Sequence, residues 1–371
     1  MYTHLLAQFK QHHPDWKEST VKNTLLMVAL ILSEKTVNLW KLKAGVGNQL
    51  GNKEVDSRSH YQRLKRWLWQ EKATPGVWIQ IAKASLSLLN GSTDCLIIDG
   101  SSWKSGGFVY HFLTLSVLYK GVSVPIWWVE INHLGQSSQW HRQLLIRSAI
   151  RLLDLRGKVL LGDREYIGTA WFNTLKRAGI DLVIRLRVSD YKAAIEVGGK
   201  SMDKLESEAK SQLGKVIWQS FTLNSHFYLF VIVCYRNRSG KTEFLRLITT
   251  LTPADAVKQY KQRYRIESMF KHLKSNGFDL ESLHLQYGYK IRLMMAVVVL
   301  AYTLAIVYGL VDFEKKVGIK KHGSPEMSVF RWGLDKWQNY LSNLKGFMEK
   351  LQHFVNSFFT PNYKQIKNPV P

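Results

Sequence analysis

Residues 94–131 read DCLIIDGSSWKSGGFVYHFLTLSVLYKGVSVPIWWVEI. Three apolar runs rich in β-branched and aromatic residues stand out: Asp94–Asp99, Phe108–Leu118 and Val122–Ile131. Such runs, bounded by turn residues, read as strands, with Tyr119–Gly121 joining the last two as a meander. Leu88–Thr93 (LLNGST) reads as the turn that leads in. Downstream, Ser138–Leu153 has the pattern of a helix. Lys158–Asp163 (KVLLGD) is a second short apolar strand that, like the first, ends in an acid. A helix over Thr169–Ala178 and a strand over Leu182–Arg187 follow. The order is β-β-β-α-β-α-β: three antiparallel strands, then parallel strands with crossover helices.

That order describes a mixed α/β protein with an RNase H-like core. Residues 189–243 interrupt it with a Lys- and Glu-rich stretch at Lys200–Lys210 and a hairpin of Lys215–Leu223, the turn Asn224–Ser225 and His226–Arg236. Glu243–Leu251 is a further strand. Thr252–Pro253 is an N-cap and first-turn proline pair, and a long helix is expected from Ala254 to about Ser275. Residues 1–90 read as helical. Ser19–Leu32 has apolar residues at helical spacing, Thr36–Leu42 continues it weakly, and Arg58–Trp69 is a basic helix with Tyr61, Leu64, Trp67 and Leu68 on one side. A glycine-containing turn at Ala44–Gly51 could make a helix-turn-helix, although glycine turns join many ordinary helices. The expected division is a helical N-terminal DNA-binding domain (1–90), two parts of the core (91–188 and 244–311), a β-rich insertion (189–243) and a basic, aromatic, helical C-terminal region (312–371).

The chain has 371 residues, 46% hydrophobic and 22% charged, which is the composition of a folded globular protein. Lys and Arg number 52 against 28 Asp and Glu, a formal charge of +24. Such an excess points to a polyanionic partner, nucleic acid first and a membrane surface as the rival. Arg58, Arg63 and Arg66 on the basic helix are candidate DNA contacts, weighed against a solvated basic face. Two cysteines, Cys95 and Cys234, rule out a disulfide scaffold and a cysteine-rich zinc module and fit a reducing cytoplasm. Met1–Gln11 lacks an apolar h-region, so no secretory leader is read there. Leu293–Val311 is long enough to span a bilayer, with Lys290 and Arg292 flanking it. A buried helix at the centre of a large domain is the reading favoured here, because no second such segment exists.

Asp99 and Asp163 each close an apolar strand, where α/β sheets collect their sites. Either one alone is a turn residue or helix cap; together with an acid on a later helix they are a candidate site. That acid is Glu267. Tyr260, Arg263, Glu267 and Lys274 fit Tyr-x2-Arg-x3-Glu-x6-Lys and fall near one stripe of a helix, which sets a phenol, a guanidinium, a carboxylate and an ammonium side by side.

These residues carry a family resemblance. The chain resembles the DDE transposases of bacterial insertion sequences, of the insertion-sequence-four type, through three motifs: LIIDGSSW (Leu96–Trp103), LLGDREYIG (Leu160–Gly168) and the Tyr-Arg-Glu-Lys signature, continued by FKHLKSNGFDLESLHL (Phe270–Leu285). The resemblance covers roughly 90 to 310 and is weak outside it. It implies an RNase H-like core with a β-rich insertion between the second Asp and the Glu. It implies cutting of double-stranded DNA at terminal inverted repeats and joining of the 3′ ends to target DNA, with a hairpin intermediate, a homodimeric synaptic complex, and a bacterial, nucleoid-associated location. Phosphodiester cleavage suits two divalent ions held by carboxylates, so Asp99, Asp163 and Glu267 are the expected ligands of Mg2+, with Mn2+ as a substitute. No His or Cys set competes for a transition metal. Arg263 and Lys274 suit phosphates beside the scissile bond, and Tyr260 can hydrogen-bond one. Tyr264 could stack on an unpaired base, a role taken from relatives. Arg164 and Glu165 match the family's Asp-Arg-Glu, against the alternative of a surface ion pair. Trp218 is read as hairpin packing, with base stacking as the alternative. Two other functions stay open: an RNase H-like nuclease without strand transfer, and a transposon-derived regulator that binds DNA without cutting it.

Overall fold

A computed structural model describes residues 17–89, 93–105, 107–131, 133–321, 323–341 and 344–359, with side chains to 353. The reading of Met1–Gln11, the middle of the turn at Leu88–Thr93 and the end of the C-terminal tail lie outside the described residues. The chain divides into two compact units. One gathers the described residues of 1–91, 103–109 and 268–371; the other holds those of 92–102 and 110–267.

The second unit is built on a mixed sheet of eight strands: β1 (Cys95–Ser105), β2 (Phe108–Tyr119), β3 (Val122–Glu130), β4 (Val159–Gly162), β5 (Asp181–Arg185), β6 (Val216–Leu223), β7 (His226–Arg236) and β8 (Thr242–Thr249). Their order is β3-β2-β1-β4-β5-β8-β7-β6. β1, β4 and β5 run parallel, and the helices Gln139–Ile150 and Thr169–Arg177 make the crossovers. This is the expected RNase H-like order. Leu96, Ile97 and Ile98 of β1 and Leu160 and Leu161 of β4 are fully buried, as parallel strands covered on both faces require. Residues 189–243 supply the short helices Lys192–Val197 and Met202–Ser211 and the strands β6 and β7. Those strands extend the same sheet, because β8 pairs antiparallel with both β5 and β7.

Two expectations about local structure are corrected here. Asp99 does not end its strand: β1 continues to Ser105, while its pairing with β4 stops at Ile97–Leu161. The helix expected over Ala254–Ser275 is two helices, Pro253–Tyr260 and Arg265–Leu273. Between them the backbone tightens into i→i+3 bonds, with Arg263 N–H donating to Tyr260 O, Ile266 to Arg263 O and Glu267 to Tyr264 O. The start is as expected: Thr252 accepts from the Asp255 N–H and Pro253 opens the helix.

The first unit is helical. Its centre is Gly288–Leu310, in which every residue from Leu293 to Gly309 is buried. By length and hydropathy this helix could cross a membrane, yet 89% of its most apolar window is packed inside the protein. It crosses Val329–Gln338 at backbone contact: a Cβ on Gly333 would lie 1.7 Å from Ala305 O. Glu18–Glu34, Leu39–Leu50, Ser57–Trp67 and Val77–Ser87 complete the unit with Leu344–Phe359. The turn expected at Ala44–Gly51 is instead helical to Leu50, with Gly51 as its left-handed cap at φ 68°. Gly45 and Gly47 serve close packing, since a Cβ would lie 2.7 Å from Glu34 Oε1 at the first and 3.1 Å from His60 Nε2 at the second.

Candidate active site

The parallel register of β1 and β4 sets the first two acids. Ile97 pairs with Leu161 at the end of the ladder, Asp99 and Asp163 each follow two residues on, and their charges act on one another. β4 stops at Gly162, and Asp163 opens a turn whose carbonyl accepts the Tyr166 N–H at 2.9 Å. The Asp163 carboxylate accepts the Arg164 N–H at 2.8 Å. Asp99 Oδ1 accepts its neighbour's Gly100 N–H at 2.8 Å and the Tyr166 hydroxyl at 3.4 Å.

Arg263 ties the third acid to the first. Its Nη1 lies 3.3 Å from Asp99 Oδ2 and its Nη2 2.6 Å from Glu267 Oε1. One guanidinium, 14% exposed, therefore holds two of the three carboxylates, while Glu267 keeps 54% of its side chain open to solvent. Burial pushes the Arg263 pKa down, but Tyr260, Asp99, Asp163 and Glu267 pull it up and prevail. Asp163 is thus part of the same electrostatic cluster. Burial raises Asp99 to about 6; Arg263 and the Gly100 N–H oppose the rise, and the charges of Asp163 and Glu165 add to it. Asp99, Asp163 and Glu267 thus all act on the Arg263 guanidinium.

Tyr260 lies beside Arg263, and burial pushes its phenol up to about 12. Tyr264 is 49% exposed, with the Arg265 guanidinium 4.8 Å over its ring. Arg164 is exposed. The alternative of a surface ion pair between Arg164 and Glu165 is corrected: Glu165 Oε1 accepts the Ser137 N–H and hydroxyl at 2.7 and 2.8 Å. Lys274 belongs to the first unit, where its ammonium lies 3.4 Å from Glu281 and 5.3 Å over the Trp103 ring. Arg58, Arg63 and Arg66 are also in that unit. Arg58 and Arg66 are exposed, and Arg63 donates to Asn23 at 3.3 Å. Trp218 on β6 is 54% exposed.

Three residues given no role in the sequence reading support the site. Tyr166 is fully buried beneath Asp99, and the Arg142 guanidinium stands 5.3 Å over its ring. Arg142, 5% exposed, donates to Ser137 O, Ser137 Oγ and Ile167 O. Ser137 in turn donates to Glu165. The turn that carries Asp163 is thereby pinned to the start of the helix Gln139–Ile150. Tyr166 and Glu165 stand in the quoted motif, but Ser137 and Arg142 lie some 25 residues earlier with no spacing to mark them.

The donor set offers carboxylate oxygens alone, which suits a hard divalent cation. Among the described residues no three His, Cys, Asp or Glu stand close enough to enclose an ion as they are placed. Arg263 holds Asp99 and Glu267 in that arrangement.

Residues 90–304 match the family described as transposase DDE domain. No curated protein matches the chain. Among solved structures, piggyBac transposase in a synaptic complex with hairpin DNA is similar in fold, with a TM-score of 0.50 and 11% identity over 96% of this chain and 78% of that one. With more than half of its length matched, the chain belongs to the transposase DDE-domain family.

Proposed function

We propose that the chain is an active transposase: it cuts double-stranded DNA at the terminal inverted repeats of an insertion sequence and joins the freed 3′ ends to target DNA. One observation carries this reading. Asp99, Asp163 and Glu267 come from segments far apart in sequence, yet all three act on one buried guanidinium, that of Arg263. A structural ion pair needs one carboxylate for one guanidinium; three in one partly open cluster leave charge to spare for a ligand.

In this reading Asp99, Asp163 and Glu267 hold two Mg2+ ions, with Mn2+ as a substitute. When bound, the ions supply the positive charge that activates the attacking oxygen and stabilises the leaving one. The chain's own groups do the rest. Asp99 is fixed by the Tyr166 hydroxyl and the Gly100 N–H, so its carboxylate faces the cluster in one orientation. Arg263, paired with Asp99 and Glu267, has five donors in a fork that matches a phosphate. Tyr260 beside it offers one further donor, and exposed Tyr264 offers a ring face to an unpaired base. Lys274, Arg164, Arg58, Arg63 and Arg66 are assigned to DNA phosphates. The Tyr-Arg-Glu-Lys signature supports a reading as the insertion-sequence-four type, and with it we propose a hairpin intermediate, a homodimer that holds two ends together, and a site of action in the bacterial cytoplasm at the nucleoid.

The test is single-turnover cleavage and joining of duplexes that carry the element's own ends. Asp99→Ala, Asp163→Ala and Glu267→Ala are each expected to lose cutting by at least 1000-fold while binding the same duplex. A variant that cuts at near the wild-type rate removes that residue from the site. Cutting without joining of pre-nicked ends leaves a nuclease in place of a transposase.

A further inference from the structure

The first unit carries a group of aromatic and lysine side chains to which the reading above gives no role. Lys290 opens the central helix, and three rings surround its ammonium: Tyr287 at 4.7 Å, Trp69 at 4.9 Å and Tyr289 at 5.8 Å to the ring centroids. The Lys72 ammonium lies 5.1 Å from the same Trp69 ring. Next to this group, Lys65 stands 5.6 Å over Tyr61, and Tyr61 meets Trp40 edge-on at 5.6 Å. The rings are not core residues: Trp69 is 45% exposed, Tyr287 55% and Trp40 63%. Among the described residues none of Lys65, Lys72 and Lys290 has a carboxylate within ion-pair distance.

A cage of rings does something to a lysine that a carboxylate does not. It fixes the ammonium through attraction to the ring faces and leaves its full charge in place. The rotamer entropy that a lysine ordinarily loses on binding an anion is lost already on folding. Burial, with the charge of Lys65 adding to it, holds the Lys290 pKa below its usual range. Two ammoniums kept close against their own repulsion, beside exposed Arg58 and Arg66, suit a partner with several negative charges in a row. The Trp69 ring is approached by both Lys72 and Lys290, so its faces are engaged by ammoniums rather than left clear for a base. That favours the phosphate backbone over base stacking.

We propose that Lys290, caged by Trp69, Tyr287 and Tyr289 and accompanied by Lys65 and Lys72, is a clamp for the phosphate backbone of duplex DNA. The proposal rests on the reading of the chain as a DNA-cutting enzyme, and its test is independent of cutting. Binding of the full chain to a fluorescent random-sequence duplex is followed by anisotropy in EDTA, from about 50 to about 200 mM salt, for wild type, Lys290→Gln, Lys290→Arg, Trp69→Leu and the pair Lys65→Gln/Lys72→Gln. Each phosphate contact adds about 0.9 to the slope of log affinity against log salt. Lys290→Gln is expected to lower the slope by about 1 and the affinity roughly 3- to 10-fold, and the double variant to lower the slope by about 2. Lys290→Arg keeps the slope. Trp69→Leu keeps every charge and weakens binding, because Lys290 loses its fixed position. An unchanged affinity and slope in Lys290→Gln overturns the proposal, since that exposed-end substitution leaves the fold intact by circular dichroism. Tighter binding to phosphatidylserine vesicles than to the duplex, lost in Lys290→Gln, overturns it in favour of a membrane surface. Should the Asp99→Ala protein cut DNA normally while Lys290→Gln shows the lowered slope, the catalytic reading fails and the clamp stands.

Discussion

Replacing Asp99 by Asn tests whether the site carries uncompensated charge. Burial lifts the Asp99 pKa from 3.8 to about 6, against the pull of Arg263. A carboxyl whose pKa is raised on folding binds its proton more tightly in the native state. Stability is therefore lost as pH rises through the interval from 3.8 to about 6, and the loss is complete above it. That rise corresponds to about 3 kcal/mol at pH 8 and under about 1 kcal/mol at pH 4. Asparagine is nearly isosteric, keeps an oxygen for the Gly100 N–H and carries no charge. Asp99→Asn is thus expected to be more stable than wild type by about 2–3 kcal/mol at pH 8 and nearly equal to it at pH 4, while losing cleavage. The assay is urea unfolding at both pH values, without divalent ions, read by a probe in the second unit. Millimolar Mg2+ is expected to stabilise wild type more than the variant, because a cation that binds only the folded carboxylates shifts the equilibrium by mass action. A variant equally stable at both pH values, or less stable than wild type at pH 8, refutes the argument that the charge is held at a cost.

Other consequences can be checked alongside. Tyr166→Phe deletes the 3.4 Å hydrogen bond to Asp99 and nothing else of the ring, so single-turnover cleavage is expected to fall several-fold with DNA affinity unchanged and stability lowered by about 1 kcal/mol; equal rates exclude Tyr166 from positioning Asp99. Gly333→Ala brings a methyl group to 1.7 Å from Ala305 O and is expected to cost more than about 3 kcal/mol, seen as a fall in Tm of several degrees. His272 stacks on Phe330 at 4.6 Å, and burial holds its imidazole down at about 4. The unfolded chain takes up a proton below pH 6.5 and the native state does not, so stability falls as pH drops from 6.5 towards 4, by up to about 3 kcal/mol. His272→Phe is expected to flatten that acid loss in urea unfolding of the first unit, and an unchanged pH profile rules it out.

What the sequence made legible was local. The apolar runs ending in Asp99 and Asp163 announced parallel strands, and the cap pair Thr252–Pro253 announced a helix start. The break at residues 261–264 was invisible because Lys261, Gln262, Arg263 and Tyr264 contain neither Gly nor Pro and are acceptable in a helix. The turn is compatible with the ties of Arg263 to Asp99 and Glu267, contacts that no local pattern encodes. Gly45 and Gly47 misled for the opposite reason: they read as a turn, but their lack of a Cβ serves packing against Leu30, Glu34 and His60. That β6, β7 and β8 extend the main sheet was unreadable, since partner choice between strands is non-local. Ser137 and Arg142 were missed because a buried polar network has no period. Lys290 stood in plain view, but as a flank of an apolar segment; its cage is assembled from Trp69 and two tyrosines that only the fold brings together.

The central claim is that Asp99, Asp163 and Glu267 bring divalent cations to a scissile phosphate. Sulfur in place of the leaving 3′ oxygen tests it most directly, because sulfur binds Mg2+ poorly and Mn2+ well. On such an end, wild-type cleavage is expected to collapse in Mg2+ and to recover in Mn2+, with no recovery in Glu267→Gln. Equal loss in both ions, or recovery that persists in Glu267→Gln, contradicts the account.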